Sequence, residues 1–159
     1  MGKSTAQEYC ERYVGLISEI DGLWEQIKRA RNSTQIPAMR QGDGSQRTAG
    51  STGDQLGSKV IHMMGVEERL LPRIEAKHRE MEAIEDAIDS IDDPKHRRVL
   101  WLRYIDCDGL DLTKWEVVAM DMWGKDDPST VRRATRLHGR ALQSLAKVLE
   151  DKAQKESHP

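Results

Sequence analysis

Four arginines and a lysine stand between residues 128 and 149, at positions 132, 133, 136, 140 and 147, with no carboxylate among them. The chain as a whole has net charge -2, so acid is not scarce. If this stretch is helical, stepping about 100° per residue from Val131 puts all five cations between about 100° and 200°. Thr135, His138, Leu142, Leu145 and Leu149 then fall within about 40° of Val131, with Ala134 at the edge. The first set is expected to face outward and the second to be buried. A plain solvated face is the competing reading, but such faces usually mix signs, because opposite charges at i,i+4 stabilise a helix. A row of one sign suits contact with a polyanion.

The residue types define that contact. Arg132, Arg133 and Arg136 lie in the first turns, where a recognition helix meets the major groove. Each guanidinium can grip guanine O6 and N7 with two hydrogen bonds, or hold a phosphate. Arg140 and Lys147 lie further along and suit phosphate or make no contact. Ser129 and Thr130 offer hydroxyls and helix-terminal amides to a phosphate, or serve the cap instead. Lys114 and Lys125 can reach the nucleic-acid backbone from the preceding helix and turn.

Other chemistries lack their residues. His138 falls on the buried side with no Ser, Cys or Asp placed for a triad, and reads as a packed, hydrogen-bonded histidine. Trp101, Trp115 and Trp123 read as packing residues rather than base-stacking platforms. No GxxxxGK[ST] or GxSxG occurs. Cys10 and Cys107 are lone thiols, away from any zinc spacing, and suit a reducing cytosol. The loop DCDGLDL begins like a calcium loop, but Leu110 and Val117 occupy its fifth and twelfth positions, where an acid or Asn and a Glu are needed. The expectation is no enzyme, no metal and no cofactor.

Local signals place these residues on elements. Asp127 can cap a helix with Pro128 in its first turn, running to about Asp151. Before it, Thr113-Lys-Trp-Glu116 has the form of a capping box that opens a short helix, with Trp115, Val118, Ala119 and Met122 on one side and Gly124 ending it. Asp92 or Asp93, with Pro94, starts an earlier helix whose apolar side is Val99, Leu102 and Ile105, helped by Trp101 or Tyr104. A short helix, a turn with Gly and a longer helix are in helix-turn-helix order.

Upstream, Tyr13, Leu16, Ile20, Leu23, Ile27 and Ala30 repeat at heptad spacing over 7–32. Leu70, Ile74, Lys77, Met81, Ile84, Ile88 and Ile91 repeat likewise over 58–91. Pro72 is expected to kink or restart that second helix. Residues 32–58 are rich in Gly, Ser, Thr and Gln and are expected to form a flexible, disordered linker. The predicted fold is all-α. An N-terminal helical hairpin of coiled-coil type (1–31 and 59–92, around the linker) precedes a helix-turn-helix domain (93–152) and a disordered tail (153–159).

Bulk composition agrees. Charged residues make up 33% and aromatics 4%, with no Phe, which suits narrow helical seams over a thick sheet core. No apolar run is long enough for a membrane span, and the first residues form no secretory leader. Residues 1–93 hold 12 basic and 17 acidic groups, net -5; residues 94–159 hold 13 and 10, net +3. The second part is the one that can approach nucleic acid.

Taken together, RRVLWLRYID (97–106), WEVVAMDM (115–122) and RLHGRALQSL (136–145) resemble the ArpU/RinA-like phage regulators of late transcription. The C-terminal part of that family is similar to region four of sigma-70-type factors. The layout is similar too: a heptad helix, a break with a Gly53-Asp54 step, a second helix and then a basic domain. The resemblance implies a phage or prophage regulator in a bacterial cytoplasm, acting on duplex DNA at late-gene promoters, with host RNA polymerase or a second copy as candidate partners of the hairpin. Two departures accompany it: a longer loop at 106–112, and about five additional residues before RLHG. Alignment from RLHG makes Ala134 the first buried position of the long helix; alignment from the cap makes it Val131. The alternative functions are a small terminase subunit, which recognises DNA for packaging, and a helical adaptor that uses the basic face on an acidic protein.

Overall fold

A computed structural model describes residues 2, 4–34, 51–108 and 111–157, and among them every regular element is helical. The order is α1 (Thr5–Ser33), α2 (Ser51–Asp89), α3 (Pro94–Leu100), a π-helical turn (Trp101–Ile105), α4 (Trp115–Trp123) and α5 (Pro128–Glu156). No helix among these residues is long and apolar enough to cross a membrane. The chain forms two compact units, one of Met1–Ser18 with Lys77–Pro159 and one of Glu19–Ala76.

In the smaller unit the heptads close on each other. Ile20, Ile27 and Ala30 of α1 are buried, as are Val66, Leu70 and Ile74 of α2. The ion pair Arg31–Glu67 ties the two helices. Residues 35–50, most of the expected linker, lie outside the described residues. At its two ends the expectation is corrected: 55–58 belong to α2 and 32–33 to α1. A helix nucleated in the downstream heptad propagates at little cost, even through Gly57. The helix also continues through Pro72 without a restart.

In the larger unit α1 and α2 run antiparallel. Tyr9 donates to the Ala83 carbonyl at 3.2 Å, Arg12 pairs with Glu80 at 2.8 Å, and Tyr13 donates to Glu85 at 2.6 Å. Their apolar sides do not end in a separate hairpin core. Cys10 and Leu16 of α1, Ile84 and Ile88 of α2, and Ile91 just after it join one core with Val99, Leu100, Tyr104, Val118, Ala134 and Leu145. The boundary expected at 92–93 therefore falls inside a single packed unit.

Asp93 caps α3 by accepting from the Lys95 amide at 2.8 Å, with Pro94 in the first turn. The apolar side expected as Val99, Leu102 and Ile105 is instead Val99, Leu100 and Tyr104; Leu102 and Ile105 are half-buried. For Tyr104 in place of Leu102 and Ile105 the cause is the π-turn: the Asp106 amide donates to the Trp101 carbonyl, five residues back, at 2.9 Å. One extra residue in the turn rotates the following side chains. The Thr113–Glu116 capping box does not form. Lys114 is the cap residue of α4 and makes no side-chain cap bond. Thr113 is engaged elsewhere, its amide donating to the Arg103 carbonyl at 3.2 Å and its carbonyl accepting from the Arg103 guanidinium. Gly124 ends α4 in the left-handed region at φ 69°, a conformation that costs residues with a Cβ about 1–2 kcal/mol. Finally, α5 runs beyond Asp151, so 153–156 are helical rather than a disordered tail; no Gly or Pro interrupts the helix-forming run there.

Candidate nucleic-acid interface

The long α5 is held at its start by Asp127, whose carboxylate accepts from the Ser129 amide at 2.9 Å and the Thr130 amide at 3.0 Å. The Thr130 amide bond is the main reason the Asp127 carboxyl titrates below its usual range. The Thr130 hydroxyl donates back to the Lys125 and Asp127 carbonyls at 3.1 and 2.9 Å, locking the turn 124–127 to the helix. The first amides of α5 therefore already have a carboxylate partner, and the capping role of Ser129 and Thr130 is realised.

Burial along α5 settles the register left open by the sequence. Ala134, His138, Ala141 and Leu145 are the buried stripe. Val131, Leu142 and Leu149 are half-buried and Thr135 is exposed. The stripe is thus turned by about 50° from the one centred on Val131. Ala134 and Ala141 are fully buried, while the bulkier Val131, Leu142 and Leu149 pack partly buried against the same core. This is the register that alignment from RLHG gives.

His138 anchors the stripe. Its Nε2 lies 2.8 Å from the Tyr104 hydroxyl, and its ring meets the Trp115 ring edge-on at 5.0 Å. Burial lowers its pKa to about 4, so the ring is neutral near pH 7. Arg103 stacks over the other side of this cluster, 4.4 Å from the Trp115 ring centre.

With that stripe down, Arg132, Arg133, Arg136 and Arg140 are all exposed. Arg132, Arg136 and Arg140 form an i, i+4, i+8 row. Arg12, Arg31 and Arg98 each meet a carboxylate, at Glu80, Glu67 and Asp121. Among the described residues the α5 arginines meet none. Arg133 instead lies over the Trp123 ring, 4.9 Å from its centre. Ser129, Thr130, Arg133, Arg136 and Arg140 line one groove of about 600 Å³. Arg132 is exposed on the same helix but does not line it. Neither does Lys114, at the start of α4, or Lys125, in the turn.

Five further residues line the groove that the sequence does not mark as binding residues: Asp93, Lys95, His96, Trp123 and Leu137. The KHRR run of α3 was visible, but nothing local says that its first turn packs beside α5. Among the described residues no group of three or more His, Cys, Asp or Glu side chains could hold a metal ion.

No protein-family model, curated protein or solved structure matches the chain.

Proposed function

We propose that the chain is a sequence-specific duplex-DNA-binding regulator, with α4, the turn 124–127 and α5 as its helix-turn-helix and α5 as the helix that enters the major groove. The observation that carries this reading is the exposed arginine row of α5, which has no carboxylate partner among the described residues. Like charges at i,i+4 cost a few tenths of a kcal/mol per pair. Arg132–Arg136 and Arg136–Arg140 both incur that cost in the free protein, and a phosphate backbone removes it. The capped start and the short turn supply what the row needs: a rigid helix whose first turns are presented outward.

Late-gene promoters of a phage or prophage are the target class that the sequence resemblance adds. Footprinting on the genome that encodes the chain tests this. Discrete protected sites upstream of late genes are expected; uniform protection, or none, contradicts it.

The unit Glu19–Ala76 suits self-association rather than DNA. Its α2 leaves Ile61 73% and Met64 60% exposed, and a two-helix hairpin buries little apolar surface alone. Light scattering is expected to give twice the chain mass. The single-chain mass would remove this part, and a many-copy ring would favour the packaging alternative.

A further inference from the structure

The groove beside α5 is built by three elements. One wall is the first turn of α3, with Asp93, Lys95 and His96. The floor is α5, with Arg133, Leu137, Arg136 and Arg140, and the end is closed by Trp123 of α4. Four fixed cations thus face a space that holds a single carboxylate. That carboxylate, Asp93, is turned to its own helix, where it accepts from the Lys95 amide, and its other oxygen lies 3.7 Å from His96.

The wall is fixed to the floor. His96 Nδ1 lies 2.9 Å from the Ser144 hydroxyl of α5, which sets the distance between Lys95 and the arginines. The Arg133 guanidinium lies over the Trp123 ring, 4.9 Å from its centre, a contact that restricts its side chain before any ligand arrives. The other cations of α3 are engaged: Arg97 donates to the Ile91 and Asp92 carbonyls, and Arg98 pairs with Asp121. Lys95 is the α3 cation left to face the groove.

We propose that this groove grips the DNA backbone beside the major groove that α5 enters, Lys95 from one side and Arg133 and Arg140 from the other closing on one phosphodiester run. The inference rests on the duplex-DNA reading above and adds a residue from outside the helix-turn-helix. It also divides the arginines. Arg133 and Arg140 hold phosphate, Arg132 lies outside the groove and is free to meet base edges, and Arg136 lines the groove yet points most squarely away from the core, so it can meet either. A planar fork suits phosphate as well as guanine, so position rather than residue type makes this division.

The test is equilibrium binding of the full chain to a short mixed-sequence duplex over a salt series, for the parent, Lys95→Ala, Lys95→Arg and Lys152→Ala. Each phosphate contact contributes about 0.9 to the slope of log K against log salt. Lys95→Ala is expected to flatten the slope by about that amount and to weaken all duplexes equally. Lys95→Arg should restore the slope, and Lys152→Ala, outside the groove, should leave it unchanged. Lys95 is exposed, so the variant keeps the thermal midpoint of the parent. If the parent binds and Lys95→Ala keeps its slope, the groove assignment falls while the DNA reading stands. If the parent does not bind duplex DNA, both fall.

Discussion

Replacing Arg136 by alanine is expected to weaken binding to the cognate site by about 10- to 100-fold and to relax discrimination at one base pair. Arg136 is the middle member of the row Arg132–Arg136–Arg140, and its direction is within about 10° of the one opposite the buried stripe. Of the four arginines it is therefore the one held most squarely away from the core. A guanidinium gripping guanine with two hydrogen bonds discriminates by roughly 1–3 kcal/mol, which corresponds to that range of affinity. The side chain is exposed and makes no ion pair among the described residues, so the fold does not depend on it. Removing it even relieves the like-charge contacts with Arg132 and Arg140. Stability should hold or rise slightly as affinity falls. Competition binding with single-base variants of the footprinted site measures both effects. An Arg136→Ala protein with the affinity and base preferences of the parent would show that this arginine does not read DNA.

Acid should unfold the larger unit, Met1–Ser18 with Lys77–Pro159, through His138. Its folded-state pKa is about 4, lowered first by burial and then by the nearby Arg103 charge, against about 6.5 for an unfolded histidine. Below pH 6.5 the unfolded chain takes up a proton at this site and the folded chain does not. The stabilisation that comes from keeping the ring neutral is therefore complete above about pH 6.5 and is lost as pH falls toward 4. The span corresponds to stability on the order of 3 kcal/mol. His138→Gln isolates the effect, since an amide can still meet the Tyr104 hydroxyl but does not titrate. Urea unfolding of both proteins at steps from pH 7 to 4 should give curves that diverge as the parent loses stability faster. Parallel curves would place the acid sensitivity in the carboxylates instead. Because His138 lies in the stripe that orients the arginines, DNA binding should fail together with folding in this window.

Much of the architecture was legible because its determinants are local. The heptads of α1 and α2, the Asp127–Pro128 start of α5 and the Gly124 stop each depend on a few adjacent residues, and the structure places all of them. What was not legible depends on packing at a distance. Periodicity centres the buried stripe of α5 on its large apolar residues, whereas the fully buried positions include the small Ala134 and Ala141. The apolar side of α3 was read with an α-helical period, and the π-turn at Trp101–Ile105 adds a residue to it. Thr113 has the sequence of a cap, yet Arg103, ten residues earlier, holds its backbone. The basic face was visible as a helical stripe, but the groove was not, because its second wall depends on a bond between His96 and Ser144, 48 residues apart. In sequence Arg133 is equivalent to its neighbours; only the fold puts Trp123 beneath it.

If the outward face of α5 meets a phosphate backbone, titration of the full chain against duplex DNA across a salt series will show tight binding at low salt, with log K falling linearly as log salt rises and a slope set by several phosphates at about 0.9 each. Absence of duplex binding at low salt, or affinity indifferent to salt, would contradict it.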